Sequence, residues 1–375
     1  MTMYLNFNND LDLEQNMLRD SVADFVDSQY TTAVTRRLAE SESGVDATIW
    51  QQISEMGWIG LLVPEAYGGI GMKLGDMAII LQEMGRSAYQ GPFCTTAVAS
   101  VLAIAESDNE AFKETYFPQI VDGSLVFSFA VDEGTQYRWS EFSTLATATD
   151  DGYQVSGTKL FVPYAHIADR LVVVANCGQG VGLFCVEPDQ PGVAIEVLPV
   201  TSGAKLCQVI FDKAIAESLL SDVSKGAEIV EQVFHSSALL KCAEMVGGAI
   251  SALKLTVEHV TYRKQFGVPV GVFQAVQHKC ADMLTWVDTA GMLVHDGVKS
   301  VDDSQQDLAE TAAICKIWTS DAYNNTMKMA HQLMAGTGFM EETDLQLYFR
   351  HAKVCELAFG TPNFYRDILA DKLEI

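Results

Sequence analysis

Residues 263–274 read Arg-Lys-Gln-Phe-Gly-Val-Pro-Val-Gly-Val-Phe-Gln and separate two long helical patterns. Apolar residues recur in steps of three and four over 243–260 on one side and over 273–294 on the other. That spacing predicts two amphipathic helices, and the glycines and proline between them predict a tight turn. Because two more helical patterns follow at 308–335 and 345–358, we predict an antiparallel four-helix bundle.

The chain before this bundle has two further textures. Residues 13–105 again show helical spacing, interrupted by a glycine-rich loop at 64–71. Short runs rich in β-formers then alternate with turn signals, which predicts a small barrel or sandwich. The predicted strands are 126–131, 152–162, 170–175, 182–186 and 208–211. We therefore predict an α+β fold with an N-terminal α-helical domain (1–125), a middle β-domain (126–222) and a C-terminal helical bundle domain (223–375), in which the polar stretch 300–306 is the clearest loop.

Composition restricts the partners. The chain has 375 residues with 24 basic and 49 acidic side chains, a net charge of -25, which argues against nucleic acid and anionic lipid as partners. Eight cysteines without a C-x-x-C pair indicate reduced thiols in a cytoplasmic protein. We expect neither a secretory signal nor a membrane-spanning segment. The seven histidines show no metal-ligand spacing, so we predict no metal site.

The corner at 263–274 has two interpretations. On structural grounds alone it is a helix connection, and that interpretation is the more common one for such a motif. The functional interpretation is that a rigid corner presents Arg263 to a phosphate and Gln274 to a sugar or an adenine edge.

Several motifs share one further property, which is a resemblance to the acyl-CoA dehydrogenase family over nearly the whole chain. The corner resembles the family's R-x-x-F-G-x-P-x-x-x-F-Q signature. Residues 64–71 resemble its P-x-x-x-G-G-x-G loop, and Arg350-His351-Ala352-Lys353 resembles its R-D-A-K sequence. Gly157-Thr158-Lys159 followed by Ala168-Asp169 resembles a middle-domain strand, and Gln332 with residues 335–338 resembles a bundle turn.

The resemblance implies α,β-desaturation of an acyl-CoA thioester. In the family a carboxylate removes the α-proton, FAD accepts the β-hydride, and an electron-transfer flavoprotein takes the electrons. The usual position of this base falls on Phe359, nine residues after Arg350, and the family's second position falls near Ser237. Neither residue is a carboxylate, so we predict no catalytic residue of the usual kind in this chain.

Three nearby acids are candidate replacements for the base: Glu231, Glu244 and Glu356. Glu244 is the long-shot candidate, and it stands where the family usually has a small helix-packing residue. We favour the alternative that all three are solvated or paired helix acids.

The resemblance is uneven around the expected flavin. The family's T-E-P-x-A-G-S-D appears as residues 131–137, Val-Asp-Glu-Gly-Thr-Gln-Tyr, and its W-I-T/S appears as Phe161-Val162-Pro163. The ring cradle is therefore predicted to be eroded, since Pro163 offers neither hydroxyl nor amide hydrogen. The elements that in the family reach a neighbour's FAD are retained, and we predict them as cofactor-binding: Arg263, Phe266, Gln274, Gln332, Gly336 and Gly338.

This asymmetry resembles the base-lacking subunit of heterotetrameric acyl-CoA dehydrogenases that act on steroid side chains and similar bulky substrates. Our first hypothesis is such a subunit, completing the FAD site of a related partner chain. The alternatives are a self-sufficient homotetrameric flavoprotein that uses another base or other flavin chemistry, and a non-catalytic structural paralogue.

Overall fold

The computed structural model describes residues 11–134, 137, 139–150, 152–178 and 180–374. Its first part is helical. Helix α1 begins with a capping box in which Asp12 and Gln15 exchange side-chain and backbone hydrogen bonds, and Asp46 caps α3 by accepting from the amides of Thr48 and Ile49. The helices are α1 (Leu13–Ser28), α2 (Thr32–Glu40), α3 (Ala47–Glu55), α4 (Leu74–Gly85), α5 (Val101–Ala105), which continues a π-helix over Cys94–Ser100, and α6 (Glu110–Val121).

The strands follow as β1 (Phe127–Ala130), β2 (Leu145–Thr149), β3 (Gly152–Pro163), β4 (Arg170–Asn176), β5 (Val181–Val186), β6 (Val193–Val197) and β7 (Leu206–Leu219). Pairing runs in a closed ring, β4-β2-β3-β7-β5 and back to β4, so these strands form a small barrel. Strand β1 extends the sheet parallel to β4, and β6 lies antiparallel on β7. The barrel interior is apolar, with Phe184, Val173 and Val209 fully buried.

The C-terminal part is a bundle of long helices: α7 (Val223–Tyr262), α8 (Gln274–Asp302), α9 (Leu308–Met334), α10 (Leu345–Leu357) and α11 (Pro362–Leu373). A two-residue hairpin, β8 (Lys264–Gln265) and β9 (Val268–Pro269), joins α7 to α8. The core of the bundle contains Leu239, Val246, Met283, Val294 and Tyr323.

The chain has two compact units. One comprises residues 1–36, 74–89 and 238–375, and the other comprises residues 37–73 and 90–237. In the first unit α4 packs closely on α7, since a Cβ on Gly85 would lie 2.0 Å from the Glu244 carbonyl oxygen. The three consecutive domains predicted above describe the order of helices and strands along the chain, and their boundaries stay a prediction.

The predicted fold class is confirmed, with differences in single elements. Strands β2 and β6 were not predicted because most of their residues are exposed and give little apolar alternation. Helix α11 was missed although Thr361 caps it and Pro362 occupies its first turn. The predicted loop at 300–306 begins too early, because α8 continues to Asp302, whose carboxylate accepts from the amides of Leu74 and Gly75 at the start of α4.

All eight cysteines lie in the described ranges, where none forms a disulfide, and five of them are buried. Over the described ranges, no helix is both long and apolar enough to cross a bilayer.

Candidate functional site

The corner between α7 and α8 is a rigid hairpin. The Arg263 amide donates to the His259 carbonyl at 2.9 Å, and the Val270 amide donates to the Arg263 carbonyl at 2.8 Å. At the tip, Phe266 and Gly267 have φ values of +56° and +83°, as a tight hairpin of this kind requires. These hydrogen bonds therefore fix the backbone from which the side chains of the corner project.

Those side chains point to solvent. Phe266 is 93% exposed, and its only described ring contact is an edge-on one with Phe273, at 6.1 Å between centroids. Arg263 and Gln274 are exposed as well. Within the part of the chain that the structure describes, no carboxylate pairs with the Arg263 guanidinium. A guanidinium in this state has its donors available for an anionic ligand or a second chain.

The turn after α9 carries the other predicted cofactor residues. Gln332 is exposed on the last turn of α9, and Ala335, with a φ of +50°, starts a 3-10 turn over Ala335–Phe339. Gly336 has no atom within 4 Å of the position that a Cβ would take, so its backbone is open to a ligand. Gly338 is instead buried, and its carbonyl accepts from the Gln346 side chain at 2.6 Å.

The predicted cofactor residues thus form two local groups. Arg263, Phe266 and Gln274 share the hairpin corner, whereas Gln332, Gly336 and Gly338 share the turn after α9. No hydrogen bond between described residues joins the two groups.

The usual base position contains no proton acceptor. Phe359 follows the end of α10 with a φ of +53°, and its half-buried ring packs on the bundle core. Its carbonyl accepts from the Tyr365 hydroxyl at 3.0 Å. At the second position, Ser237 is fully buried on α7, and its hydroxyl has no hydrogen-bond partner among the described residues.

A buried lysine fixes the backbone beside Phe359. Lys316 is fully buried on α9, and its ammonium donates to the carbonyls of Cys355 at 2.7 Å and Ala358 at 2.6 Å. These carbonyls belong to the end of α10, where backbone acceptors lack helical partners. Burial lowers the pKa of Lys316. The amine therefore acts as a C-terminal cap that positions the residues of the usual base segment.

The long-shot base, Glu244, is a fully engaged buried carboxylate. Its Oε2 accepts from Lys241 at 2.5 Å and its Oε1 lies 2.8 Å from Nε2 of His351. Burial alone raises the pKa of Glu244, but Lys241 and His351 outweigh it and lower the pKa to about 2. Burial disfavours the imidazolium of His351, but Cys355 and Glu244 raise its pKa to about 10. So acidic and enclosed a carboxylate is poorly suited to abstract a proton at neutral pH.

The other two candidate acids are ordinary helix residues. Glu356 accepts from Asn324 at 2.7 Å and also pairs with Lys353, and Glu231 is exposed on α7. Both arrangements suit ordinary helix acids.

The segment after β1 is held by a second buried pair. Glu133 lies 2.8 Å from the ammonium of Lys159, and its carboxylate also accepts from Ser143 and Thr144. Burial alone raises the pKa of Glu133, but Lys159 and these hydrogen bonds lower it to about 2. Burial outweighs Glu133 at Lys159 and lowers the pKa of the amine to about 8. Thr135 and Gln136, which belong to the predicted cradle segment, lie outside the described residues.

The remaining cradle positions lie on β3. Phe161 has a φ of +52° and is 47% exposed, at a register shift between Lys159 and Val162. Pro163 pairs with Leu206, and its carbonyl accepts from the Ser128 hydroxyl at 2.5 Å. The strand thus offers an exposed aromatic ring but, at Pro163, no donor for a flavin edge.

Comparison with known proteins identifies the class. The family described as acyl-CoA dehydrogenase, N-terminal domain, matches residues 12–124, and the one described as acyl-CoA dehydrogenase, C-terminal domain, matches residues 224–374. The chain belongs to the acyl-CoA dehydrogenase family, whose members are oxidoreductases acting on CH-CH donors.

Individual relatives have low sequence identity, but the matches span most of both chains. Cyclohex-1-ene-1-carbonyl-CoA dehydrogenase of Syntrophus aciditrophicus is 28% identical, over 85% of this chain and 80% of the relative. Acyl-CoA dehydrogenase IpdE2 of Mycolicibacterium smegmatis is 27% identical, over 93% and 95%. A solved structure of the Tcur3481-Tcur3483 steroid ACAD, in a variant form, is 28% identical with a TM-score of 0.88, and the match covers 96% of this chain and 98% of that one.

Proposed function

We propose that this chain is the base-lacking subunit of a FAD-dependent acyl-CoA dehydrogenase and that it completes the FAD site of a related partner chain. The observation that carries the proposal is the side chain at the usual base position. Phe359 cannot accept a proton, and the Tyr365 hydroxyl and the Lys316 cap hold the backbone around it. Ser237, at the second position, is fully buried and is not a carboxylate.

The exposed corner supports the second half of the proposal. A subunit that contributes to a neighbour's cofactor must present its groups outward on a rigid element. Arg263, Phe266 and Gln274 meet this condition, because all three are exposed on a hairpin that backbone hydrogen bonds close. A guanidinium fits a pyrophosphate through paired donors, and an amide fits an adenine or ribose edge through a donor and an acceptor.

The middle domain supports the same division of labour. Phe161 and Pro163 replace the residues that in the family cover the ring and bond its edge, so this chain is expected to hold its own flavin ring weakly. Bound FAD supplies the acceptor for the hydride from the acyl β-carbon. On this proposal the partner would supply the base and the ring cradle, and Arg263 with Gln274 would hold the far end of that FAD.

The relatives favour acyl-CoA as the substrate class and a heteromeric assembly. The solved relative described as the Tcur3481-Tcur3483 steroid ACAD names two polypeptides and a steroid substrate class. We infer a heterotetramer with a related subunit, action on a fatty acyl or steroid side-chain thioester, electron transfer to an electron-transfer flavoprotein, and a cytoplasmic location.

The test is the visible absorbance of the chain purified alone and after co-expression with the related chain encoded in the same genome. We expect a colourless single chain and a yellow complex with about one FAD per two chains. One FAD per chain in the single protein would instead support the self-sufficient homotetramer. A complex without flavin would support the structural paralogue.

A matched pair of variants tests the corner. Arg263→Ala removes the phosphate-facing guanidinium, and Lys264→Ala removes an exposed cation next to it on the same hairpin. Since a charge-assisted hydrogen bond contributes about 1.5–3 kcal/mol, we expect Arg263→Ala to weaken FAD binding by the complex roughly 10- to 100-fold. Lys264→Ala should bind FAD like the unmodified complex. Equal effects of the two substitutions would refute the assigned role of Arg263.

A further inference from the structure

Three potential metal-binding side chains meet inside the bundle. The cluster consists of Glu244 on α7 with His351 and Cys355 on α10, and one ligand atom from each lies within 4.8 Å of the other two. His351 and Cys355 are four residues apart, so they project from the same face of α10. All three residues are buried, and His351 and Cys355 are 107 and 111 positions from Glu244 in sequence.

The separations suit a small tetrahedral ion. Cys355 Sγ lies 3.5 Å from Glu244 Oε1 and 3.4 Å from His351 Nε2, and His351 Nε2 lies 2.8 Å from Oε1. Ligands at about 2.0–2.3 Å from zinc in a tetrahedron lie roughly 3.3–3.6 Å apart. Both sulfur distances already match, and the nitrogen and oxygen need to separate by about 0.5 Å.

The surrounding residues orient the ligands as in a metal site. Nδ1 of His351 lies 3.3 Å from the Tyr323 hydroxyl, which fixes the ring and leaves Nε2 directed at the cluster. Gly248 makes this possible, because a Cβ there would lie 2.2 Å from that hydroxyl. The second oxygen of Glu244 is held by Lys241 at 2.5 Å, so Oε1 is the oxygen available to an ion.

Although the spacing of the histidines in the sequence predicts no metal site, we propose that Glu244, His351 and Cys355 bind one Zn²⁺. The ion replaces the proton that His351 shares with Glu244 and the thiol proton of Cys355, so two protons leave as one dication enters. The net charge of the cluster, including Lys241, is therefore unchanged, and Lys241 stays paired with the outer oxygen. A mixed sulfur, nitrogen and oxygen ligand set is one that zinc accepts, and a solvent molecule completes the fourth position.

The site is a cross-link between α7 and α10. Cys355 belongs to the segment that Lys316 caps, since the Cys355 carbonyl accepts a hydrogen bond from the Lys316 ammonium. An ion here ties the helix that carries Ser237 to the helix that leads into Phe359. This inference is independent of the proposed flavin role, because none of the three ligands is among the residues proposed to bind FAD.

The experiment measures zinc in the purified full-length chain by mass spectrometry, before and after chelation and reloading with Zn²⁺ alone. We expect about one zinc per chain, bound with sub-micromolar affinity. Cys355→Ser should lower the affinity at least tenfold. Cys315→Ser is the matched control, because Cys315 is another buried thiol of the same bundle, on α9, and it should bind zinc normally.

A second measurement does not depend on the folding of a variant. Co²⁺ loaded into the chelated wild-type chain should give intense tetrahedral d–d bands and a thiolate charge-transfer band, and Zn²⁺ should abolish both. A folded wild-type chain that takes up no stoichiometric Zn²⁺ or Co²⁺ would overturn the proposal. So would zinc uptake that Cys355→Ser leaves unchanged, or a Co²⁺ spectrum without the thiolate band.

Discussion

Replacing Glu133 with Gln should destabilise the unit that contains the barrel by about 3 kcal/mol. The substitution keeps side-chain volume but only one oxygen acceptor, so it removes the charge that faces Lys159 and the acceptor of either Ser143 or Thr144. Lys159 and the Glu133 side chain are 0% and 5% exposed, so solvent screens this pair little. A pKa lowered from 4.5 to about 2 corresponds to roughly 3 kcal/mol at about 1.4 kcal/mol per tenfold change in acidity. Breaking a buried ion pair by removing one partner costs a similar 3–5 kcal/mol.

Urea unfolding followed by intrinsic fluorescence measures this loss. The matched control is Glu187→Gln in the same unit, because Glu187 forms a surface pair with Arg170 at 3.5 Å and is 53% exposed. Its cost should stay below about 1 kcal/mol. The double variant Glu133→Gln, Lys159→Met should recover most of the stability, because it no longer leaves an unpaired ammonium buried. Surface pairs contribute roughly 1 kcal/mol or less. The reasoning is wrong if the free energies of unfolding of Glu133→Gln and Glu187→Gln differ by less than about 0.5 kcal/mol.

The same pair sets a pH dependence with a defined sign. The folded pKa of Glu133 is below its ordinary value, so the unfolded chain binds more protons between pH 4.5 and about 2. Its contribution is complete above pH 4.5 and is lost as the pH falls toward 2. Wild type should therefore lose more stability than Glu133→Gln over this range.

Two further substitutions test packing in the bundle. Lys316→Met fills a similar volume but leaves the carbonyls of Cys355 and Ala358 without their donor. Urea unfolding should therefore show a loss of about 2 kcal/mol in stability, and proteolysis at the end of α10 should be faster. An unchanged unfolding midpoint would refute the role of Lys316 as a cap. Gly248→Ala places a Cβ 2.2 Å from the Tyr323 hydroxyl and should cost about 3 kcal/mol in the same assay. The control Ala249→Gly creates no clash and should cost about 1 kcal/mol, so equal costs would contradict the close contact.

Sequence patterns predicted the elements whose residues repeat with a clear period. Helices α9 and α10 end within one residue of the predicted bounds, and α8 begins where predicted but continues beyond its pattern to Asp302. Strands β2 and β6 were not predicted, because only one residue of β2 is buried and none of β6 is. Local periodicity reports burial, so an exposed strand that is held by its neighbours leaves little trace in the sequence.

The candidate site was predictable in part for a different reason. Arg263, Phe266 and Gln274 lie within one motif, so their shared corner follows from the sequence. The meeting of Glu244 with His351 does not, because the two residues are 107 positions apart. A signal existed in two departures from the family pattern, His351 in place of an aspartate and Glu244 in place of a small residue. Neither departure alone indicates a pair, because the two side chains meet only in the folded chain.

Under the proposed function, the conformation of Phe266 implies a trade-off between the stability of the lone chain and its assembly. An aromatic residue with a φ of +56° has a conformational cost that glycine or asparagine would avoid, and at 93% exposure its ring gains little from its own chain. Phe266→Asn should therefore give a slightly more stable lone chain. If the proposed role is correct, the same substitution should weaken the complex, so a screen for stability of the lone chain would select against assembly.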